Sequence, residues 1–164
     1  MKLDKKDIAL LNELQVNCRR SLKKLARKLN MSITTVYDRM KKLEREGVIK
    51  GYKAILDPEK TGNPFLAFVM MRVNYNGLVD GEKRWTQKEL ARRISKIPNV
   101  LETHIVAGEW DIILKVRGKD VKELGNVVIE SLRNIRGVGR THTSDVWVTI
   151  KEDTELSLRK PIKK

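Results

Sequence analysis

The sequence predicts an α+β chain in two parts, and three observations carry that prediction. Up to Gly47 the apolar residues recur at helical spacing, and after it they fall into strand-like runs. Thr61 to Pro64, Thr-Gly-Asn-Pro, has turn chemistry throughout and marks a boundary. Beyond that boundary, apolar runs and periodic segments follow one another in the order βαββαβ.

In chain order, Asp4 is an N-cap for a first helix running to about Val16, with Asp7 favourably placed against its positive end and Ile8, Leu11 and Leu14 as its apolar stripe. Ser21 caps a second helix whose Leu22, Leu25, Ala26 and Leu29 share one face, and Asn30 and Met31 form a turn. Ser32 caps a third helix, which Gly47 ends in a left-handed conformation. On that helix Ile33, Val36, Met40 and Leu43 are the expected buried stripe, so Thr34, Thr35, Asp38, Arg39, Lys42 and Arg45 turn outward or sideways. Two short helices about a tight turn predict a helix-turn-helix. After it, Val48, Tyr52, Ala54 and Leu56 alternate with Lys50 and Lys53 and predict a strand or wing, stopped by Asp57-Pro58. A winged helix-turn-helix over residues 1–57 and a linker over 58–64 are therefore expected.

Charge is concentrated on this pattern. The chain carries a net +14, and from residue 19 to 45 ten basic residues face two acids, Asp38 and Glu44. A surplus of eight on 27 residues is the footprint of a phosphate-binding surface, more than a scattered excess would be. Ser32, Thr34 and Thr35 open the third helix, where a helix entering a major groove of double-stranded DNA meets base edges, with Asp38 one turn further on. Arg39 either binds phosphate or guanine, or holds the domain together through Asp38 or a neighbouring acid. Lys41, Lys42 and Arg45 are expected on phosphates, because a mobile ammonium offers no planar readout.

In the second part, Phe65 to Val73 is apolar on both faces, which calls for a layer above and a layer below. A polar loop follows, with Trp85 expected to anchor it. Thr86 caps a helix carrying Leu90, Ala91, Ile94 and Ile97, ended by Pro98. Strands over 100–107 and 111–116 come next. Asp120 then caps a helix with Val121, Leu124, Val128 and Leu132 in phase, and a last strand is expected over 140–150. Short connections and right-handed crossovers fold this into a ferredoxin-like βαββαβ domain over 65–151, a four-stranded antiparallel sheet with both helices on one face. A second copy of the sheet is the simplest cover for the other face, giving a symmetric homodimer. Residues 152–164 read as a basic tail with a mobile end.

A single cysteine, Cys18, excludes an internal disulfide framework and a cysteine zinc site. His104 and His142 fall on different strands without metal-ligand spacing and read as structural. No catalytic constellation and no cofactor motif stands out. No apolar run approaches the roughly 18 residues of a membrane span and no signal peptide precedes the charged start, so a soluble cytoplasmic protein is expected.

Taken together, the chain resembles the leucine-responsive and asparagine-synthase regulators, the Lrp/AsnC or feast/famine family in its archaeal form, across Leu3 to Lys151. The matching residues are Leu3-Asp4 with Asp7, Leu25-Ala26-Arg27, Ser32 to Leu43, Glu46 to Tyr52, Asn99-Val100, Gly108 with Asp111, and Gly137-Val138. The resemblance implies a dimeric, often octameric, transcriptional regulator whose second domain binds small molecules, usually amino acids, between dimers near Ala107 to Asp111. Members commonly carry threonine where this chain has Ala107. In that arrangement Gly108 lets a ligand's polar groups approach the backbone, Asp111 suits an ammonium group, and Thr141 and Thr143 offer neutral hydrogen bonds. The alternative for Gly108 and Asp111 is plain turn construction. Two other functions fit less of the sequence: a siroheme-decarboxylase-like enzyme of the same fold, and an architectural DNA-binding protein without an effector.

Overall fold

The structure is a computed structural model that describes residues 2–81 and 83–158. The chain packs as two compact units, one holding the residues up to Ile55 together with the segment from Lys151 on, the other Leu56–Ile150.

The first unit is three helices, α1 (Lys5–Val16), α2 (Leu22–Leu29) and α3 (Ile33–Arg45). Asp4 and Asp7 close a capping box on α1: the Asp7 amide donates to Asp4 at 2.8 Å and the Asp4 amide to Asp7 at 3.1 Å. Leu10, Leu25, Val36 and Leu43 are fully buried at the centre, with Leu11, Leu14 and Ala26 around them. Asn30 turns the chain in a left-handed conformation at φ 51°, and Gly47 ends α3 at φ 69°. Ile33, expected in the stripe, is 48% exposed, because the first turn of α3 lies at the rim and the core fills from Val36 onward.

The expected wing strand is absent among the described residues: 48–56 join no strand, and Ile55 stands 93% exposed. Alternation suits a strand, but a strand forms only against a hydrogen-bonding partner. The segment after Lys151 also differs from the expected free tail. Leu156 exchanges hydrogen bonds with the Gln15 side chain of α1, at 2.7 and 3.1 Å, and Leu158 packs against the helical core. The mobile end expected at 159–164 lies outside the described residues.

The second unit is built on β1 (Phe65–Val73), which leads through a 3-10 turn (Tyr75–Leu78) into a small hairpin, β2 (Val79–Asp80) and β3 (Lys83–Arg84). Then come α4 (Gln87–Ile94), β4 (Val100–Ile105), β5 (Ile112–Gly118), α5 (Val121–Asn126) continuing as a π-helix over Val127–Leu132, and β6 (Val138–Asp145). The four long strands pair antiparallel in the order β4-β5-β1-β6, the ferredoxin-like topology. Ala67, Val69, Met71 and Val73 of β1 and Ile112, Leu114 and Val116 of β5 bury one face against Leu90 and Ile94 of α4 and Leu124, Val128 and Leu132. Val121, expected in that stripe, is 53% exposed, at the first position of α5. Trp85 packs on the same core and so anchors the loop.

β6 stops at Asp145 rather than running to Ile150. Its pairing with β1 runs out there: Asp145 faces Ala67, and the Val146 amide makes a last bond to the Leu66 carbonyl at 2.9 Å. Among the described residues no helix is long and apolar enough to cross a membrane.

Adjacent methionines on β1 separate the two faces. Met71 is fully buried on the helix side, whereas Met70 is partly exposed on the other. Met71→Asp places an unpaired charge in the core and is expected to cost about 3–5 kcal/mol or more. Met70→Asp is expected to leave the folded sheet intact. Urea melts followed by circular dichroism compare them, and equal losses would mean the faces are misassigned.

Candidate functional site

The helix-turn-helix surface begins at the cap of α3. Ser32 Oγ accepts the Thr35 amide at 3.0 Å and shares a 2.7 Å hydrogen bond with the Thr35 hydroxyl. The Thr35 hydroxyl is thus engaged in the cap, while Thr34, Asp38, Lys41, Lys42 and Arg45 are exposed. Tyr37, not singled out from the sequence, is 48% exposed, and Lys41 Nζ lies 5.9 Å from its ring centroid. Its position three residues after Thr34 and four before Lys41 is the signal that places it on that face. Lys41 and Arg45 also meet acids, Glu44 at 3.2 Å and Glu46 at 3.4 Å, in exposed pairs that add little stability and yield readily to phosphate.

Arg39 is different. Its Nη1 lies 2.7 Å from Asp4 and 2.5 Å from Asp7, and Asp7 is 2% exposed, the one buried charged residue among those described. Of its two expected roles the structure displays the structural one, through α1 rather than through Asp38. Desolvation works against the Asp4 carboxylate, yet hydrogen bonds from the Asp7 amide and from Arg39 outweigh it and hold its pKa below the ordinary value. At the far end of α3, Tyr52 donates to Glu44 at 3.1 Å. Burial first, then the neighbouring Glu44 carboxylate, pushes its phenol up to about 12. Of the basic residues before α3, Arg20 and Lys28 converge on Glu13 of α1.

The four residues expected at the ligand do not form one pocket in a single chain. Gly108, in the β4–β5 loop, has φ 138° with open space where a Cβ would stand, so backbone conformation rather than crowding requires glycine. Asp111 is tied on all sides. Its carboxylate accepts the Val73 amide at 2.8 Å, its amide donates to the Met71 carbonyl, and its own carbonyl accepts Val106 N–H and the Gln87 side chain. Thr141 and Thr143 sit on β6, opposite Met71 and Val69, on the other side of β1. The sheet also gathers a cluster that sequence spacing could not show. Trp110 stacks on His142 with centroids 6.0 Å apart, and the Arg140 guanidinium lies 5.8 Å from the Trp110 ring. On the face bearing Met70, Glu102 joins His104 at 3.1 Å and Lys115 at 3.3 Å; first His104 and then Lys115 lower its pKa despite desolvation.

A capped, clamped recognition helix in one unit and a ferredoxin-like sheet in the other define a two-domain DNA-binding regulator. Residues 66–156 match the Lrp/AsnC ligand binding domain, and residues 3–50 match a winged helix-turn-helix DNA-binding family. The chain is 46% identical over 151 residues to an HTH-type transcriptional regulator of Pyrococcus furiosus, covering 92% of this chain and 97% of that one. It is 36% identical over 157 residues to the leucine-responsive regulatory protein of Haemophilus influenzae, covering 96% and 91%. Among solved structures it resembles a Neisseria meningitidis transcriptional regulator in complex with L-Met, with a TM-score of 0.85 and 28% identity over 95% of this chain and 97% of that one. The chain belongs to the Lrp/AsnC family of transcriptional regulators.

Arg39→Ala leaves Asp7 buried and unpaired and is expected to lower the stability of the helical unit by about 3–5 kcal/mol. Lys42→Ala is expected to leave stability within about 0.5 kcal/mol. The folded Asp4 carboxylate has the lower pKa, so its contribution is full above the ordinary value of 3.8 and is lost as pH falls through the folded one. Thermal melts from pH 6 down to about pH 2 should show this acid loss in the parent and less of it in Asp4→Asn.

Proposed function

We propose that this regulator binds a specific DNA sequence as a dimer and that a free amino acid modulates its assembly or its grip on DNA. The exposed face of α3 carries the first half of the reading: hydroxyl, carboxylate and amine groups follow one another along a helix whose orientation is fixed by the Arg39 clamp. Thr34, Asp38 and, through its methyl group, Thr35 are assigned to base edges, and Ser32, Lys41, Lys42 and Arg45 to the backbone. Support for the dimer is the open sheet face, where Phe68 is 39% exposed and Met70 partly so. A second copy would remove that apolar area from water at about 25 cal/mol per Å². Support for an amino-acid effector is the relative that holds L-Met and the polar set at Gly108, Asp111, Thr141 and Thr143.

Selection of bound sequences from a random DNA pool, with and without each amino acid, tests the proposal. A near-palindrome with half-sites about 34 Å apart is expected. If random competitor displaced the protein as readily as any selected site, it would be an architectural protein instead. Neutralising on the order of 6–10 phosphates, affinity should fall about 10³-fold or more between 50 and 200 mM salt. Lys42→Ala should weaken all sequences alike and reduce the salt slope by about 1.

For the effector, Asp111→Asn is the informative change, since the amide oxygen can still accept the Val73 N–H while the charge is gone. It should fold and bind DNA yet lose the rise in melting temperature caused by the amino acid. An unchanged response would remove Asp111 from the ligand site. Met70→Asp should give a monomer by light scattering, and a dimer that persists would move the interface elsewhere.

A further inference from the structure

We propose that Ile33 and Tyr37 form an apolar edge on α3 that reads thymine methyl groups in the major groove. The inference rests on the reading of α3 as the base-contacting helix and adds the class of base it selects. That helix exposes polar side chains at Thr34, Asp38, Lys41, Lys42 and Arg45, yet Ile33 and Tyr37 also stand 48% exposed each. Neither belongs to the helical core, whose α3 members are Val36 and Leu43 with Met40 packed against them. Residues four apart lie one above the other on a helix, so the two side chains make one edge rather than two scattered spots. Ile33 directly follows the Ser32 cap and Tyr37 comes one turn later, which puts the edge at the end of the helix that a groove receives.

Chemistry names what such an edge meets. Base edges in the major groove offer hydrogen-bond donors and acceptors, and the C5-methyl of thymine is the apolar group among them. An apolar side chain set against a donor or acceptor removes its water and returns no hydrogen bond, so it selects against those edges. Both side chains are also ordered before DNA arrives. Isoleucine is confined to essentially one χ1 rotamer in a helix, and the Lys41 ammonium, 5.9 Å from the Tyr37 ring centroid, favours one placement of the ring. Four residues rise about 6 Å along a helix and successive bases about 3.4 Å, so the two contacts should fall roughly two base steps apart. Thr35 lies two residues from each and so on the other flank of the exposed face, with Thr34 and Asp38 between, where its methyl group meets a different base.

Replacing each thymine of the selected DNA site in turn by uracil, which lacks only the methyl group, tests the edge with the full chain. Each contacted thymine should lose about fourfold in affinity, the fold-change of one methyl group left out of burial. Ile33→Ala should abolish the penalty at one thymine and Tyr37→Ala at another roughly two steps away. The thymine-to-uracil ratio is taken within each variant, so a general loss of affinity or stability cancels. Tyr37→Phe should discriminate as the parent does, and Lys42→Ala should weaken thymine and uracil sites alike. A penalty that persists unchanged in both Ile33→Ala and Tyr37→Ala assigns the methyl contact to Thr35 and overturns the edge. A selected site without thymine, or one whose uracil form binds as tightly, overturns this inference alone and leaves sequence-specific binding standing. A protein that prefers no sequence overturns the reading of α3 itself, and this inference with it.

Discussion

A carboxylate almost wholly removed from water, Asp7, governs the DNA-binding unit. An ionised group at that depth costs several kcal/mol unless a cation and hydrogen bonds meet it. Arg39 meets it, at 2.5 Å, and reaches Asp4 at 2.7 Å in the same gesture. Because Asp4 and Asp7 also cap α1, one guanidinium couples the start of the first helix to the middle of the third. The apolar contacts of Leu10, Leu25, Val36 and Leu43 are non-directional, so they alone would tolerate some rotation of α3. The ion pair is directional and removes that freedom. It also explains why an arginine in the midst of a basic helix face is withheld from solvent.

The sheet poses the opposite problem, an apolar surface with too little to cover it. β1 lies between β5 and β6, and its alternation sends Ala67, Val69, Met71 and Val73 under the helices while Phe68 and Met70 face away. Two further stretches of strand-forming residues also stand in water. Ile55 is 93% exposed, and Trp147 and Ile150 are 96% and 91% exposed. Exposed large apolar side chains mark an interaction site where they gather into a patch rather than stand singly. Among the described residues neither segment is paired in a sheet, so a partner strand could meet both requirements at once.

What the sequence made readable were the features whose causes are local. The caps at Asp4, Ser21, Ser32, Thr86 and Asp120 all form, because each needs only an oxygen three residues before a free amide. The βαββαβ order and the helix-side face followed from periodicity. What escaped needed distant partners. Arg39 and Asp7 are 32 positions apart, Trp110 and His142 also 32, and Gln15 and Leu156 141, so no spacing rule connects them. Periodicity also names a face without saying how far along the helix the core extends, which is why Ile33 and Val121 fit the apolar stripe yet lie exposed, while Leu10 is buried beside it. The wing strand and the end of β6 failed for one reason: propensity is a property of residues, pairing a property of neighbours.

In the proposed reading, the placement of the effector residues is what would link ligand to assembly. Asp111 hydrogen-bonds to Met71 from the β5 side of β1, and Thr141 pairs with Met71 from the β6 side. Two strand spacings, about 10 Å, therefore separate them, with β1 backbone between. A free amino acid carries its ammonium and carboxylate on one carbon and cannot span that distance along a sheet edge. Within one chain it could engage the Gly108 loop or the β6 threonines, but not both sets. In the proposed reading the sets must meet from two copies, one chain offering Gly108 and Asp111 and another offering Thr141 and Thr143. A ligand that needs both copies binds only the assembled state, and by mass action stabilises it. The coupling then requires no change of shape within either unit, since the effector acts on the population of assembled copies, and through it on how many recognition helices reach DNA together.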